Sequence, residues 1–124
     1  MDRVPASRFL STTANSLEGY RVMQTYGVVR GIVVRSRGAL GQLGAKIQMF
    51  FGGDITLLTE LCERTRADAY DSAVGNAQSL GANALLALRY DATEVMPGVT
   101  EVLCYGTAAR VASVKDPEAP LPRG

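Results

Sequence analysis

Two segments of this chain are apolar at both odd and even positions, and this pattern constrains the fold more than any other feature. They are VVRGIVV (Val28–Val34) and LLALRY (Leu85–Tyr90). Successive side chains of a β-strand point to opposite faces of the sheet. A strand that is apolar at every position therefore needs cover on both faces, unlike a strand with one face in water.

Three strands are predicted from runs of β-branched and aromatic residues that end at turn signals. They cover residues 20–35, 85–95 and 100–114, and a Pro-Gly turn joins the last two into a hairpin. Gly27 and Gly31 interrupt the first strand. Glycine inside a strand usually marks a bulge or a close approach of another backbone, so we expect one or the other at each position.

The segment between the first two strands predicts two helices. A short amphipathic helix is predicted over residues 40–50, and a longer one from an Asp54 N-cap to about Leu80. Gly81 supplies the left-handed residue that ends the long helix. Small and apolar residues on helical spacing predict its inner stripe. That stripe comprises Leu58, Cys62, Ala69, Ala73, Ala77 and Leu80.

These elements predict an α+β fold in which one main helix covers an antiparallel sheet. One helix can cover only one face of a three-stranded sheet, and the chain has no further element for the second face. Another copy of the protein is the simplest cover, which predicts an oligomer. Residues 1–114 form a single predicted domain, and the proline-rich residues 115–124 are expected to be a disordered tail.

Composition excludes several classes of partner. The formal net charge of +1 gives no basic surface for nucleic acid or acidic membranes. No apolar run approaches the ~20 residues that span a bilayer, and the N-terminus lacks the apolar core of a signal peptide. We therefore expect a cytoplasmic protein whose two cysteines stay reduced.

The sequence also lacks the residues of common catalytic sites. It contains no histidine, the usual general base near neutral pH. Neither a Ser-x-x-Lys motif nor a nucleophile elbow is present. The glycines of RGALGQLGAK (Arg37–Lys46) do not have the spacing of a phosphate-binding loop. We predict that the protein is not an enzyme.

Four residues are candidates for binding. Cys62 and Cys104 are the possible soft-metal ligands, but soft metals typically take about four thiolate or imidazole ligands, and only symmetry between copies could gather enough thiolates. A structural role, with both cysteines buried, is favoured over metal binding. Arg66 and Tyr70, one helical turn apart, could contact an anion or planar ligand at a subunit boundary. An ordinary amphipathic contact is favoured over that role.

With these elements placed, the sequence resembles the YbjQ-like family, which carries a heavy-metal-binding label. Short motifs carry the resemblance, in family order, from Ser11 to about Val111. They are Ser11-Thr12-Thr13, Leu17-Glu18-Gly19, Gly27-Val28-Val29 with Gly31, Gly52-Gly53, Arg66, Leu80-Gly81-Ala82 with Ala84, and Gly106-Thr107-Ala108.

The resemblance implies a β-α-β-β subunit like that of dodecin and a ring-shaped homopentamer. A decamer of two stacked rings is an alternative assembly under the same resemblance. The chain departs from the family where Gly52-Gly53 is followed by DITLLT rather than the polar residues of many relatives. Two functions follow as alternatives. The ring binds a metal or small ligand at subunit boundaries, with a soft metal as the only cofactor suggested, or it is a scaffold for protein interaction with no bound ligand.

Overall fold

The computed structural model describes residues 8–36 and 56–115. Five elements follow in chain order: β1 (Leu10–Ser11), β2 (Tyr20–Ser36), α1 (Thr56–Ser79), β3 (Ala84–Met96) and β4 (Val99–Ser113). Apart from the two-residue β1, the order is the predicted β-α-β-β. The predicted short helix at 40–50, the Asp54 cap and most of the predicted tail lie outside the described residues. In the two described ranges, no helix is long and apolar enough to cross a membrane.

The four strands form one sheet in the order β1-β3-β4-β2. β4 pairs antiparallel with both β2 and β3, as the predicted hairpin requires. β1 pairs with β3 in parallel, so the sheet is mixed and the prediction of a purely antiparallel sheet was wrong on this point. A two-residue strand is too short to show any alternation of apolar and polar residues, which is why the sequence did not predict it.

The α1 helix packs on one face of the sheet through small residues. Ala69, Ala73 and Ala77 are fully buried and belong to the same core cluster as Val29 and Cys104. This confirms the central part of the predicted stripe. Small side chains let the helix axis approach the strands closely, so backbone atoms of helix and sheet come into contact.

Two positions of the predicted stripe were wrong. Cys62 is exposed, and Leu80 is 49% exposed because it follows the last helical residue. Each residue advances about 100° around a helix, and extending the alanine row backwards by steps of four leads to Thr65 and Leu61 rather than Cys62. Thr65 is indeed buried and Leu61 is half-buried.

Both predicted roles of glycine in β2 are confirmed. At Gly27 the register of β2 against β4 shifts and φ is +91°, as in a bulge. At Gly31 the helix backbone touches the strand: an added Cβ would overlap the carbonyl oxygen of Ala69 and lie 2.5 Å from the amide nitrogen of Ala73. Asn76 reinforces this contact, since its Nδ2 donates to the carbonyl of Arg30 at 2.7 Å.

The helix ends where the sequence predicts, and the chain enters β3 through a buried polar residue. Gly81 has φ +96°, which confirms its left-handed conformation. Asn83 is 1% exposed, and its amide group pairs with the backbone of β4. Its Nδ2 donates to the carbonyl of Val111 at 3.0 Å, and its Oδ1 accepts from the Val111 amide at 2.8 Å.

The sheet face opposite α1 is covered unequally. Leu10 and Leu17 pack there against a second small cluster formed by Ala84, Leu86, Ala109 and Val111. The β2 side of the same face is open among the described residues. Its apolar residues, with their exposed fractions, are Val28 (67%), Ile32 (46%) and Val34 (54%). We call these three residues the open apolar patch.

The contact at Gly31 predicts opposite effects for the same substitution at two glycines. Gly31→Ala should lower the free energy of unfolding by about 1 to 3 kcal/mol, because the methyl group must push α1 away from the sheet. Gly75→Ala is the control: an added Cβ there meets nothing within 4 Å, and alanine in a helix interior should stabilise by up to about 1 kcal/mol. Denaturant unfolding at equal protein concentration measures both. Equal stability of the two variants would contradict the close helix–sheet contact.

Candidate functional site

A pocket of about 170 Å³ lies between the N-terminal half of α1 and the helix-facing side of the sheet. Residues of three neighbouring strands form its floor, because Arg35 of β2 pairs with Thr100 of β4 and Ala92 of β3 pairs with Val102 of β4. One face of α1 forms the opposite wall. Among the described residues, the lining consists of Arg35, Leu61, Cys62, Thr65, Arg66, Ala92, Thr100 and Val102. The pocket therefore has mostly apolar walls, one thiol and two guanidinium groups.

The two arginines of the pocket differ in their partners. Arg35 Nη2 lies 2.9 Å from Asp68 Oδ2, in an ion pair whose side chains are 29% and 49% exposed. An exposed pair of this kind adds at most about 1 kcal/mol to stability, but it neutralises the charge of Arg35 locally. Arg66 instead lies over the ring of Tyr90, with its guanidinium carbon 5.5 Å from the ring centroid. Within the described residues Arg66 has no carboxylate partner.

Tyr90 connects the pocket to the core through a cross-strand pair. It lies opposite Cys104 in the β3–β4 register, and the two side chains share a hydrogen bond. Burial, followed by the proximity of Cys104 and Tyr70, raises the pKa of Tyr90 to about 12, although Arg66 acts in the opposite direction. Next to it, the hydroxyl groups of Tyr70 and Ser11 are hydrogen bonded at 3.0 Å.

Cys104 is fully buried beneath this cluster. Burial raises the pKa of the Cys104 thiol above its usual value, and the hydrogen bond with Tyr90 offsets only part of that rise. The thiol is therefore protonated at neutral pH. Because the thiolate is the form that acts as a nucleophile or metal ligand, the protonated thiol of Cys104 is unreactive in this environment.

The structure places the four residues predicted as candidates in one region of the molecule. Arg66 and Tyr70 both lie beside Tyr90, and Cys104 lies below it. Cys62 is on the pocket wall and exposed, not in the core as predicted. Tyr90 and Arg35 were not among the predicted site residues, because only the pairing of strands brings them to the helix.

The residues of a single chain do not fit a soft metal ion. The sequence has no histidine, and among the described residues no three Cys, Asp or Glu side chains converge. The exposed thiol of Cys62 shares its pocket with the Arg66 guanidinium, which opposes a cation electrostatically. A soft-metal site would therefore need thiolates from several copies of the chain.

The raised pKa of Tyr90 predicts a loss of stability at alkaline pH. The folded-state value of about 12 lies above the ordinary value of 10.0, so unfolded chains ionise first as the pH rises. The contribution of Tyr90 is fully present below about pH 10 and is lost between about pH 10 and pH 12. Tyr90→Phe, which cannot ionise, should lose less unfolding free energy across this window than the wild type. Tyr20→Phe, at the exposed start of β2, is the control, and identical pH profiles for Tyr90→Phe and the wild type would contradict the assignment.

Comparison with known proteins agrees with the resemblance found in the sequence. The family described as "Putative heavy-metal-binding", YbjQ, matches residues 9–112. A UPF0145 protein of Burkholderia thailandensis is 57% identical over 101 residues, which cover 82% of this chain and 91% of the relative. UPF0145 proteins of Burkholderia mallei and Burkholderia pseudomallei are 56% identical over the same shares of each chain. The match spans nearly every described residue, and the chain belongs to the YbjQ family of UPF0145 proteins.

Proposed function

We propose that this protein is a non-enzymatic binding module that forms a closed ring of identical subunits and holds a small ligand in the pocket beside Arg66. The pocket carries the proposal: apolar walls and a guanidinium without a carboxylate partner in the described residues form a small-molecule site. The count of five subunits comes from the resemblance to the YbjQ-like family. The ring would be cytoplasmic, in keeping with a chain that keeps two free thiols.

The open apolar patch supports assembly. Val28, Ile32 and Val34 point to the face away from α1, where Ile32 and Val34 are neighbours and Arg30 lies between Val28 and Ile32. Ile32 also pairs with Leu103 of β4, which widens the apolar surface. Contiguous exposed apolar residues of this kind mark protein interfaces.

The strand edges support a ring rather than a two-fold dimer. β2 pairs only with β4 among the described residues, so the other edge of this 17-residue strand is open. At the far side of the sheet, backbone hydrogen bonds from residues 10–14 reach along β3 to Leu88, and the described residues beyond Leu88 on that edge are unpaired. Two different open edges favour head-to-tail contacts, and such contacts form a ring when the rotation closes.

Two observations support a binding role over catalysis. The sequence contains no histidine to act as a base, and the buried thiol of Cys104 has a raised pKa. The remaining thiol, Cys62, has no imidazole or carboxylate to activate it among the lining residues in the described part of the chain.

Metal binding and pure scaffolding are the competing functions. The family description favours a metal, and the exposure of Cys62 allows copies of this thiol to meet around an axis. A scaffold ring would use its outer surface alone and leave the pocket empty. Native mass spectrometry of freshly purified protein separates all three, because it reports the number of subunits and the mass of any retained ligand or metal together.

A charge placed in the open apolar patch should dissociate the ring. The wild type should scatter light as a particle of about 66 kDa, five times the 13.2 kDa chain, and Ile32→Glu should give smaller species because a carboxylate cannot be buried unpaired at the interface. Gln24→Glu is the matched control, since it adds the same charge at another exposed position of β2. A wild-type monomer at micromolar concentration would disprove assembly.

Zinc titration tests the metal alternative. We expect weak, non-stoichiometric binding to the reduced wild type, to Cys62→Ala and to Cys104→Ala, because one chain offers two thiols in unlike surroundings. Isothermal titration calorimetry measures the stoichiometry. Tight, saturable binding that disappears with one of the cysteines would establish a thiolate site shared between subunits and reject the small-ligand assignment.

A further inference from the structure

We propose that the ligand of this pocket is a small apolar carboxylate, whose hydrocarbon part fills the pocket and whose carboxylate binds Arg66. The inference rests on the proposed small-ligand function and adds the chemical class of the ligand. It is argued from the pocket volume, from the chemistry of the walls and from the lack of a carboxylate partner for Arg66 among the described residues.

The volume limits the size of the ligand. An apolar cavity of about 150 Å³ admits benzene. The pocket here, at about 170 Å³, therefore has room for a hydrocarbon group of similar size, whereas most of a nucleotide or a long acyl chain would remain outside it. The ligand class is thus that of benzoate or a short branched-chain acid.

The walls select for hydrocarbon. Leu61, Ala92 and Val102 present only apolar side chains to the pocket. The hydroxyl of Thr65 donates to the carbonyl of Leu61 at 2.8 Å, so its proton is already used inside the helix. A polyhydroxylated ligand would lose its hydrogen bonds with water on entering and regain few of them, whereas a hydrocarbon group gains from burial.

The charge of the pocket selects for an anion. Arg35 is paired with Asp68, which leaves Arg66 as the guanidinium available to a ligand. Its guanidinium carbon lies 5.5 Å from the centroid of the Tyr90 ring, a contact that occupies none of its N–H donors with a carboxylate. The five N–H donors lie in the plane of the guanidinium, in a fork that matches the two oxygens of a carboxylate. The lining residues that the structure describes include no carboxylate side chain that would oppose the ligand.

Protection of Cys62 from alkylation measures ligand binding in the pocket directly. Cys62 is exposed on the pocket wall, whereas Cys104 is fully buried, so iodoacetamide should alkylate the first and spare the second. Benzoate should slow alkylation of Cys62 in a saturable manner, measured by peptide mass spectrometry. Benzyl alcohol, with the same ring and no charge, should protect at least about tenfold less effectively, because a hydrogen-bonded charge is lost.

Two variants separate the contributions of charge and volume. Arg66→Gln should weaken benzoate at least about tenfold, while Arg64→Gln, an exposed arginine on the same helix outside the pocket lining, should leave it unchanged. Ala92→Phe should abolish protection by filling the pocket. Ala92 is an exposed strand residue, so this variant keeps the fold, and circular dichroism verifies that.

The outcomes distinguish this inference from the proposed function. Equal protection by benzoate and benzyl alcohol, or an Arg66→Gln variant that binds benzoate like the wild type, would overturn the carboxylate assignment. Unaltered alkylation of Cys62 at saturating benzoate would do the same. Light scattering on the same samples tests the ring separately: a ring that ignores benzoate rejects only this inference, whereas a monomer rejects the proposed assembly.

Discussion

The backbone contact between Gly31 and α1 determines the geometry of the helix face of this protein. Because residue 31 has no side chain and the facing helix positions are alanines, the helix lies directly on β2. Towards its N-terminus the helix carries larger side chains, beginning with Thr65 and Leu61. The close contact is therefore followed, one turn further on, by a gap with apolar walls. The same contact that packs the core creates the pocket.

Successive side chains of β2 point to opposite faces of the sheet, and the two faces differ in their surroundings. Val33 and Arg35 point towards the helix, where Arg35 reaches the pocket. Ile32 and Val34 alternate with these two residues along the strand. They point to the open side and form part of the apolar patch. The pocket and the open apolar patch thus lie on opposite sides of one strand. A substitution on either face can be interpreted separately, but a shift in the register of β2 would disturb both.

Local sequence signals predicted the elements of this fold well. The strands, the long helix and the left-handed Gly81 all follow from residue patterns within a few positions of each other. The close approach at Gly31 was also predictable, because glycine is the residue that lets another backbone reach the face of a strand. What the sequence could not predict depends on distant pairing. β1 exists only through its partner β3, and Tyr90 joins the site only because β3 places it opposite Cys104.

The error at Cys62 changes how the family description should be read. A phase difference of one residue moves this thiol from the core to the pocket wall, where it is accessible. Accessibility alone favours metal binding. In the pocket, however, Cys62 stands one helical turn from Arg66, so any symmetry that gathered the thiols would gather equal numbers of guanidinium groups. In such a site each thiolate charge is offset by one guanidinium charge, so the site lacks the net negative charge that favours a metal cation.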